Sequence, residues 1–364
     1  MINVFHLVSG KTWGGAERYA SDVMERLRHD PDFYVEMVCG KNDAIIGQFQ
    51  HLDIPVSILP LRGLTDFDSP VRLARLLRKG KNIVHAHTVK DAATAVLAKR
   101  LSENASVRVL LTPHGLKKPR LNYWHKKALR GVDRFVFVSQ LARDTFATHA
   151  RKVDLARSVV IRESVLEREA TGEDLRETYH IGAEKKILFF HGRLSNEKGV
   201  DTLLRAVTQL DKNRYHLFLA GDGHPKSVSQ YKAFVIANQL VGNVTFLEFK
   251  DNIQALLRQV DICVLPSTTP EASGIACLEA LMSGRALITT ANGAQREYVS
   301  DSLNGLVVEP GNFMQLAFLI NGLIDDDARR DSLGSTAREY FDKNLRYELF
   351  YDKLTALYRE LFEP

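Results

Sequence analysis

Cysteine is scarce: Cys39, Cys263 and Cys277 are the only three in 364 residues. Their odd number and wide spacing, with no Cys-x-x-Cys, argue against a disulfide framework or a structural zinc site. Three buried thiols are expected instead. No run approaches 18 apolar residues, which excludes a transmembrane helix. The opening Met1-Ile-Asn-Val-Phe-His-Leu-Val-Ser9 has neither a basic stretch nor a small-residue cleavage site, so it is expected as a first β-strand and not as a signal peptide. Neither Gly-x-Gly-x-x-Gly nor a P-loop is present, so dinucleotide and P-loop ATP readings lose support. Tandem repeats and low-complexity tracts are also missing.

What is present is a globular composition, 45% hydrophobic and 26% charged, in a chain long enough for two domains. The net charge of +5 is unevenly spread. Residues 1–170 hold 28 Lys and Arg against 18 Asp and Glu, and the remainder 21 against 26. Residues 71–134 alone carry 16 basic and 3 acidic groups. Such asymmetry points to an anionic partner for the first half, whether a phosphorylated substrate, an anionic membrane surface or nucleic acid.

Short apolar runs alternate with helical patterns through the first half. Strands are expected at Val4–Val8, Tyr34–Val38, Val56–Leu59, Ile83–Ala86, Val107–Leu111, Phe135–Val138 and Ser158–Ile161. The polar stretch Glu163–Glu184 breaks the pattern and is expected as a hinge region. A second cycle has strands at Ile187–Phe190, His216–Ala220, Val244–Phe246, Ile262–Leu265, Ala286–Thr289 and Leu306–Val308. The chain therefore predicts two doubly wound α/β domains, 1–165 and 166–344. A C-terminal helix in 345–364 is expected to pack back towards the first domain. Ligands in such folds lie beyond the carboxyl ends of the strands, and two such edges facing each other would form a cleft.

The chemistry-bearing residues fall at those strand ends. Gly14 and Gly15 stand where the first strand gives way to a helix, a design suited to phosphate. Val84-His-Ala-His-Thr88 and Leu111-Thr-Pro-His-Gly115 each close a strand. His85 and His87 are taken to alternate faces if the strand continues, and so are not expected to converge as a metal pair. Pro113 and Gly115 hold His114 in a tight turn. In the second domain Arg193 and Lys198 follow a strand end and precede a helix, an arrangement that neutralises a diphosphate. The strongest signal is Pro266-Ser-Thr-Thr-Pro-Glu-Ala-Ser-Gly-Ile-Ala-Cys-Leu-Glu-Ala280. Glu271 sits in a loop and Glu279 on an otherwise apolar helix, and paired carboxylate oxygens suit vicinal hydroxyls of a sugar or ribose. Gly274 opens the helix N-terminus to a ligand.

Gly-Gly-Ala-Glu at 14–17, Pro-His-Gly at 113–115, Gly-Arg-Leu-x-x-Glu-Lys-Gly at 192–199 and the Glu271-to-Glu279 motif occur in one order. The set resembles the retaining nucleotide-sugar glycosyltransferases of family 4, with the GT-B fold of two Rossmann-like domains, over nearly the whole chain. The resemblance implies that Arg193 and Lys198 bind the donor diphosphate and that Glu279 holds the nucleotide ribose. It implies that Glu271 meets sugar hydroxyls, with backbone at Ser273, Gly274 and Ile275 touching sugar and phosphate. Gly14 and Gly15 would approach phosphate and acceptor, and His114 the donor sugar. Many relatives have Phe where this chain has Ser273. The Glu-Ala-Ser-Gly-Ile version is similar to that of lipopolysaccharide-core enzymes, which favours a UDP-hexose, with a GDP-sugar as the other option.

The expected reaction is a metal-independent hexosyl transfer from a nucleotide-sugar, with no cofactor, to a saccharide or lipid-linked acceptor. The expected setting is lipopolysaccharide or polysaccharide synthesis, in the cytoplasm or at the inner membrane face. The basic, aromatic Lys117–Arg130 segment suits an anionic bilayer. Other readings are a nucleotide-sugar epimerase of the same fold, an inactive sugar-nucleotide-binding module, and nucleic-acid binding through residues 71–134. The last is disfavoured because no nucleic-acid-binding motif is present.

Overall fold

The computed structural model describes residues 1–10, 12–63, 66–116, 123–150, 153–169, 172–250 and 252–363. The chain divides into two compact units, residues 1–163 with 348–364, and residues 164–347. Each is a parallel sheet flanked by helices.

The first sheet contains β1 (Ile2–Val8), β2 (Phe33–Cys39), β3 (Val56–Ile58), β4 (Lys81–Ala86), β5 (Val107–Leu111), β6 (Arg134–Phe137) and β7 (Ser158–Val160) in the order β3-β2-β1-β4-β5-β6-β7. The second contains β8 (Lys186–His191), β9 (Tyr215–Ala220), β10 (Val244–Leu247), β11 (Ile262–Leu265), β12 (Ala286–Thr290) and β13 (Leu306–Val308) in the order β10-β9-β8-β11-β12-β13. The central strands are buried along nearly their whole length, β9 without interruption. That is why they read in the sequence as continuous apolar runs and not as alternating ones.

Strand order reverses direction between β1 and β4 in the first sheet, and between β8 and β11 in the second. At these points the connections leave to opposite sides, and the strand ends open a crevice. The expected motifs follow these strands: Gly14 and His87 after β1 and β4, Arg193 and Glu271 after β8 and β11.

The polar stretch after residue 163 differs from a free hinge. It packs on the second unit, with Val165 and Leu175 in that unit's core. Two glutamines fasten it. Gln254 accepts from Arg168 N at 2.7 Å and donates to Leu166 O at 2.8 Å. Gln259 accepts from Leu175 N at 2.8 Å and donates to Glu173 O at 2.9 Å. Backbone groups of an irregular segment are thereby satisfied by side chains that carry both a donor and an acceptor.

The final helix, Tyr347–Glu360, contributes to the first unit's core through Phe350, Leu354, Leu357 and Tyr358. Tyr351 donates to Asp30 Oδ2 at 3.0 Å, and Arg359 pairs with Asp32 at 2.9 Å. Arg108 donates to Leu361 O at 2.9 Å.

Candidate active site

In the second unit, the turn after β8 and the loop after β11 are laced together. Gly199 caps the helix Val200–Val207 with φ +76°, and a Cβ there would lie 2.0 Å from Pro266 O. Only glycine allows this approach. Thr268 seals it, donating from N to Glu197 O at 3.0 Å and from Oγ1 to Asn196 O at 2.7 Å. Gly274 caps the helix Ile275–Met282 with φ +73°. Tyr298 Oη donates to Ser273 O at 2.7 Å and to Gly274 O at 2.9 Å, where a Cβ on Gly274 would collide with it. Two helix N-termini, neither capped by the side chain of its N-cap residue, thus follow strands on either side of the switch point.

Several of the residues expected at the site are paired, in ways that the sequence did not reveal. Lys198 Nζ donates to Glu271 Oε2 at 2.7 Å, and Ser267 Oγ donates to the other carboxylate oxygen. The cation expected to meet a diphosphate and the carboxylate expected to meet sugar hydroxyls therefore hold each other. Arg193 is well exposed and pairs with Glu197 at 2.7 Å. An exposed pair of this kind is weak and exchanges readily for a ligand. Glu279 lies one turn into its helix, 5% exposed, among Cys277, Leu278, Ala280 and Leu281. His191, the last residue of β8, meets Glu279 Oε2 with Nε2 at 3.0 Å. Ser273, Gly274 and Ile275 form the start of the helix as expected.

The first unit is organised differently. Gly14 is extended, at φ −159°, a conformation open to any residue, and Gly15 begins the helix Gly15–Leu27. The N–H groups of Gly14 and Glu17 hold the Glu17 carboxylate, so the expected phosphate position is occupied by the chain's own anion. Burial nevertheless leaves that carboxyl above its ordinary pKa.

The expectation that His85 and His87 diverge is incorrect. Residues two apart along an extended chain project to the same face, so His87 lies on the side of His85, and the two rings are 4.7 Å apart. His6 on β1, the register partner of His85, joins them. His6 Nδ1 meets His87 Nε2 at 3.1 Å, and His87 Nδ1 meets His114 Nε2 at 3.0 Å. His85 meets Tyr358 Oη at 2.6 Å and Thr112 Oγ1 at 2.7 Å. Burial lowers the pKa of His6 and of His114 to about 3, and holds His85 and His87 well below the ordinary value. All four rings are neutral at pH 7.

Among the described residues, His6, His85 and His87 are the one group whose nitrogens lie near enough to share a metal ion. The His85 and His87 nitrogens are already hydrogen-bonded, and the three are buried without a carboxylate among them. The cluster is therefore read as a hydrogen-bonded imidazole chain. The expectation that no Asp-x-Asp triplet is present is incorrect: three occur, at 30–32, 66–68 and 325–327, and all make structural contacts, the last through Arg214 to Asp325, the helix cap at Asp326 and Lys186 to Asp327. Asp30 and Asp32 hold the final helix, and Asp66 accepts from the N–H groups of Arg62, Asp68 and Ser69.

Asp91, His191 and Ser267 escaped the sequence reading. Asp91 is 1% exposed and accepts from Ser9 Oγ and Thr88 Oγ1 at 2.7 Å each, while its Oδ1 is buried without a partner. Burial pushes its carboxyl up to about 6. The Thr88-x-x-Asp91 spacing was the only available signal, and it reads equally as a helix cap. The three thiols are buried as expected, and burial pushes Cys39 up to about 11 and Cys277 up to about 12.

The exposed aromatics of the basic segment are Tyr123 and Trp124, on the helix Tyr123–Leu129, while Leu129 is buried. The other expected contact, Leu121, lies with 117–122 outside the described residues. No helix among the described residues is long and apolar enough to cross a membrane.

The family described as glycosyl transferases group 1 matches residues 172–340, and glycosyltransferase family 4 matches residues 13–165. An uncharacterised glycosyltransferase of Methanocaldococcus jannaschii is 27% identical over 368 residues, covering 96% of this chain and 95% of that one. The lipopolysaccharide glucosyltransferase WaaG of Escherichia coli is 27% identical over 181 residues, 49% of this chain and 47% of that one. The crystal structure of Anabaena HepE in complex with UDP-glucose superposes with a TM-score of 0.84 at 19% identity, covering 98% of this chain and 99% of that one. The fold is GT-B, and the protein is a glycosyltransferase. More narrowly, the family 4 model matches most of the first unit and the group 1 model most of the second.

Proposed function

We propose that the protein is a retaining hexosyltransferase that uses a nucleoside-diphosphate sugar, with UDP-sugars favoured and GDP-sugars the second choice. The carrying observation is the meeting of Lys198, Glu271 and the His191–Glu279 pair with two helix N-termini at one switch point. The donor diphosphate takes Lys198 from Glu271, and the freed carboxylate accepts from sugar hydroxyls. Glu279 accepts from the ribose. Arg193, Lys198 and the helix N-termini stabilise charge on the diphosphate as the anomeric C–O bond breaks. The acceptor oxygen bonds to the anomeric carbon on the face the diphosphate leaves, and its proton passes to a leaving phosphate oxygen. These positive groups supply the charge stabilisation that a divalent ion would otherwise give, so the reaction is assigned as metal-independent.

A saccharide or lipid-linked acceptor of cell-surface polysaccharide or lipopolysaccharide synthesis is assigned to the first unit, with Gly14, Gly15 and His114. The names of the Escherichia coli and Anabaena relatives support this choice of acceptor and donor class. Peripheral contact with anionic lipid through the basic segment, with Tyr123 and Trp124 at the headgroups, belongs to the same reading. Vesicle sedimentation tests it: binding confined to anionic vesicles is expected, and equal binding to neutral ones, or none to either, overturns it.

The first experiment is a thermal-shift panel of UDP-, GDP-, ADP- and dTDP-sugars, with Glu279→Ala as control. Stabilisation by one nucleotide class, lost in the variant, is expected. No shift at millimolar ligand overturns the donor assignment.

A further inference from the structure

Glu279 is a carboxylate on an apolar helix, and burying such a group without a partner costs several kcal/mol. Its partner comes from another element. His191 closes β8, is 6% exposed, and reaches Glu279 Oε2 from Nε2 at 3.0 Å. Its other ring nitrogen, Nδ1, is buried with no partner. Facing a carboxylate, Nε2 must carry the proton. In the neutral ring Nδ1 is then a lone pair, and a buried unpaired acceptor is better tolerated than a buried unpaired N–H. The arrangement places an Nε2–H against the carboxylate and ties one oxygen of Glu279 to the end of a strand at the switch point.

We propose that His191 is a positioning residue: its Nε2–H fixes the Glu279 carboxylate so that it accepts from the vicinal ribose hydroxyls of a nucleoside diphosphate. This rests on the ribose role proposed for Glu279. His191 makes no contact with the nucleotide and acts only through the carboxylate. Glutamine can place an N–H near the position of Nε2, whereas asparagine reaches only that of Nδ1 and leucine offers no donor. The chemistry thus predicts different outcomes for the three replacements.

The test is calorimetric binding of UDP and GDP, each against its 2′,3′-dideoxy form, to wild type, His191→Leu, His191→Asn and His191→Gln. Wild type should bind the tighter of the two diphosphates at least tenfold better than its dideoxy form. In His191→Leu and His191→Asn that ratio should fall towards one, through weaker binding of the hydroxylated nucleotide alone. His191→Gln should recover it to within about threefold. Equal weakening of both forms, or an unchanged ratio in His191→Leu, marks a merely structural residue and overturns the proposal. If His191→Leu fails to fold, the contrast between the amides decides: equal ratios in His191→Gln and His191→Asn overturn it. A wild type that ignores the ribose hydroxyls, with Glu279→Gln equally indifferent, overturns instead the ribose reading beneath it, as does a wild type that binds neither diphosphate.

Discussion

The two units share a topology and place opposite kinds of polar chemistry at its switch point. In the second, charges meet countercharges: Lys198 with Glu271, and Glu279 with a histidine donor. In the first, four imidazoles are held neutral, three of them buried, and the carboxyl of Asp91 is buried with its Oδ1 unpartnered. Topology fixes where a site can be built, and the side chains at the strand ends decide what it can do. An ion-paired site exchanges partners when a charged donor arrives. A neutral hydrogen-bonded chain keeps its geometry at neutral pH and fails when protonated.

The largest effect should come from the charged end. Lys198→Ala is expected to lower turnover about a hundredfold, the scale of losing one preorganised electrostatic stabiliser, with folding intact by circular dichroism. Near-normal turnover would remove Lys198 from the diphosphate site. The variant also unpairs Glu271, so Glu271→Gln in the same assay separates the two roles.

The next effect contrasts the units in acid. A histidine held neutral by burial stabilises the folded state above its unfolded pKa of about 6.5 and loses that contribution as pH falls towards its folded value. For His6, with a folded value of about 3, the loss reaches ~2 kcal/mol by pH 5. Both tryptophans, Trp13 and Trp124, lie in the first unit, so their fluorescence reports on it alone. Acid should change tryptophan fluorescence before far-ultraviolet circular dichroism completes its transition. Coincident transitions would refute the contrast.

Asp91 carries the opposite sign. Its folded pKa of about 6 lies above the unfolded value, so its contribution is full below about pH 4 and is lost as pH rises through 6. Asp91→Asn should remove a slope of up to ~3 kcal/mol over that interval in denaturant melts. An unchanged slope would show that Asp91 is ionised throughout. The smallest effect is local. Gly199→Ala should destabilise the second unit by roughly 2 kcal/mol while leaving the tryptophan-reported melt of the first unit unchanged. A shift in that melt would mean that the two units unfold as one.

The central strands were legible because a strand buried on both faces must be apolar throughout, and such runs stand out between polar turns; the edge strands β3 and β7, exposed or half-buried, were found as short β-branched runs. The helix Asp327–Asn344 was not. Its buried apolar positions, Leu333, Ala337 and Phe341, recur every four residues within a charged sequence interrupted by Gly334. That glycine faces the backbone of Gly284, where a Cβ would lie 2.4 Å from the carbonyl oxygen. The packing that justifies it lies fifty residues away in the chain. The helix Gln140–His149 was missed for the milder reason that only Ala142 and Phe146 are buried on it.

Sequence alone determined the doubly wound class, the strand ends and the motif residues Arg193, Lys198, Glu271 and Glu279, because periodicity and loop chemistry are local properties of the chain. Tertiary structure decided which of these residues touch. Lys198 reaches Glu271 across 73 residues, His191 reaches Glu279 across 88, and His6 joins His87 across 81. No local pattern encodes such distances. They follow from strand order, which brings β8 beside β11 and β1 beside β4, and from burial, which favours a partner for polar side chains at those strand ends.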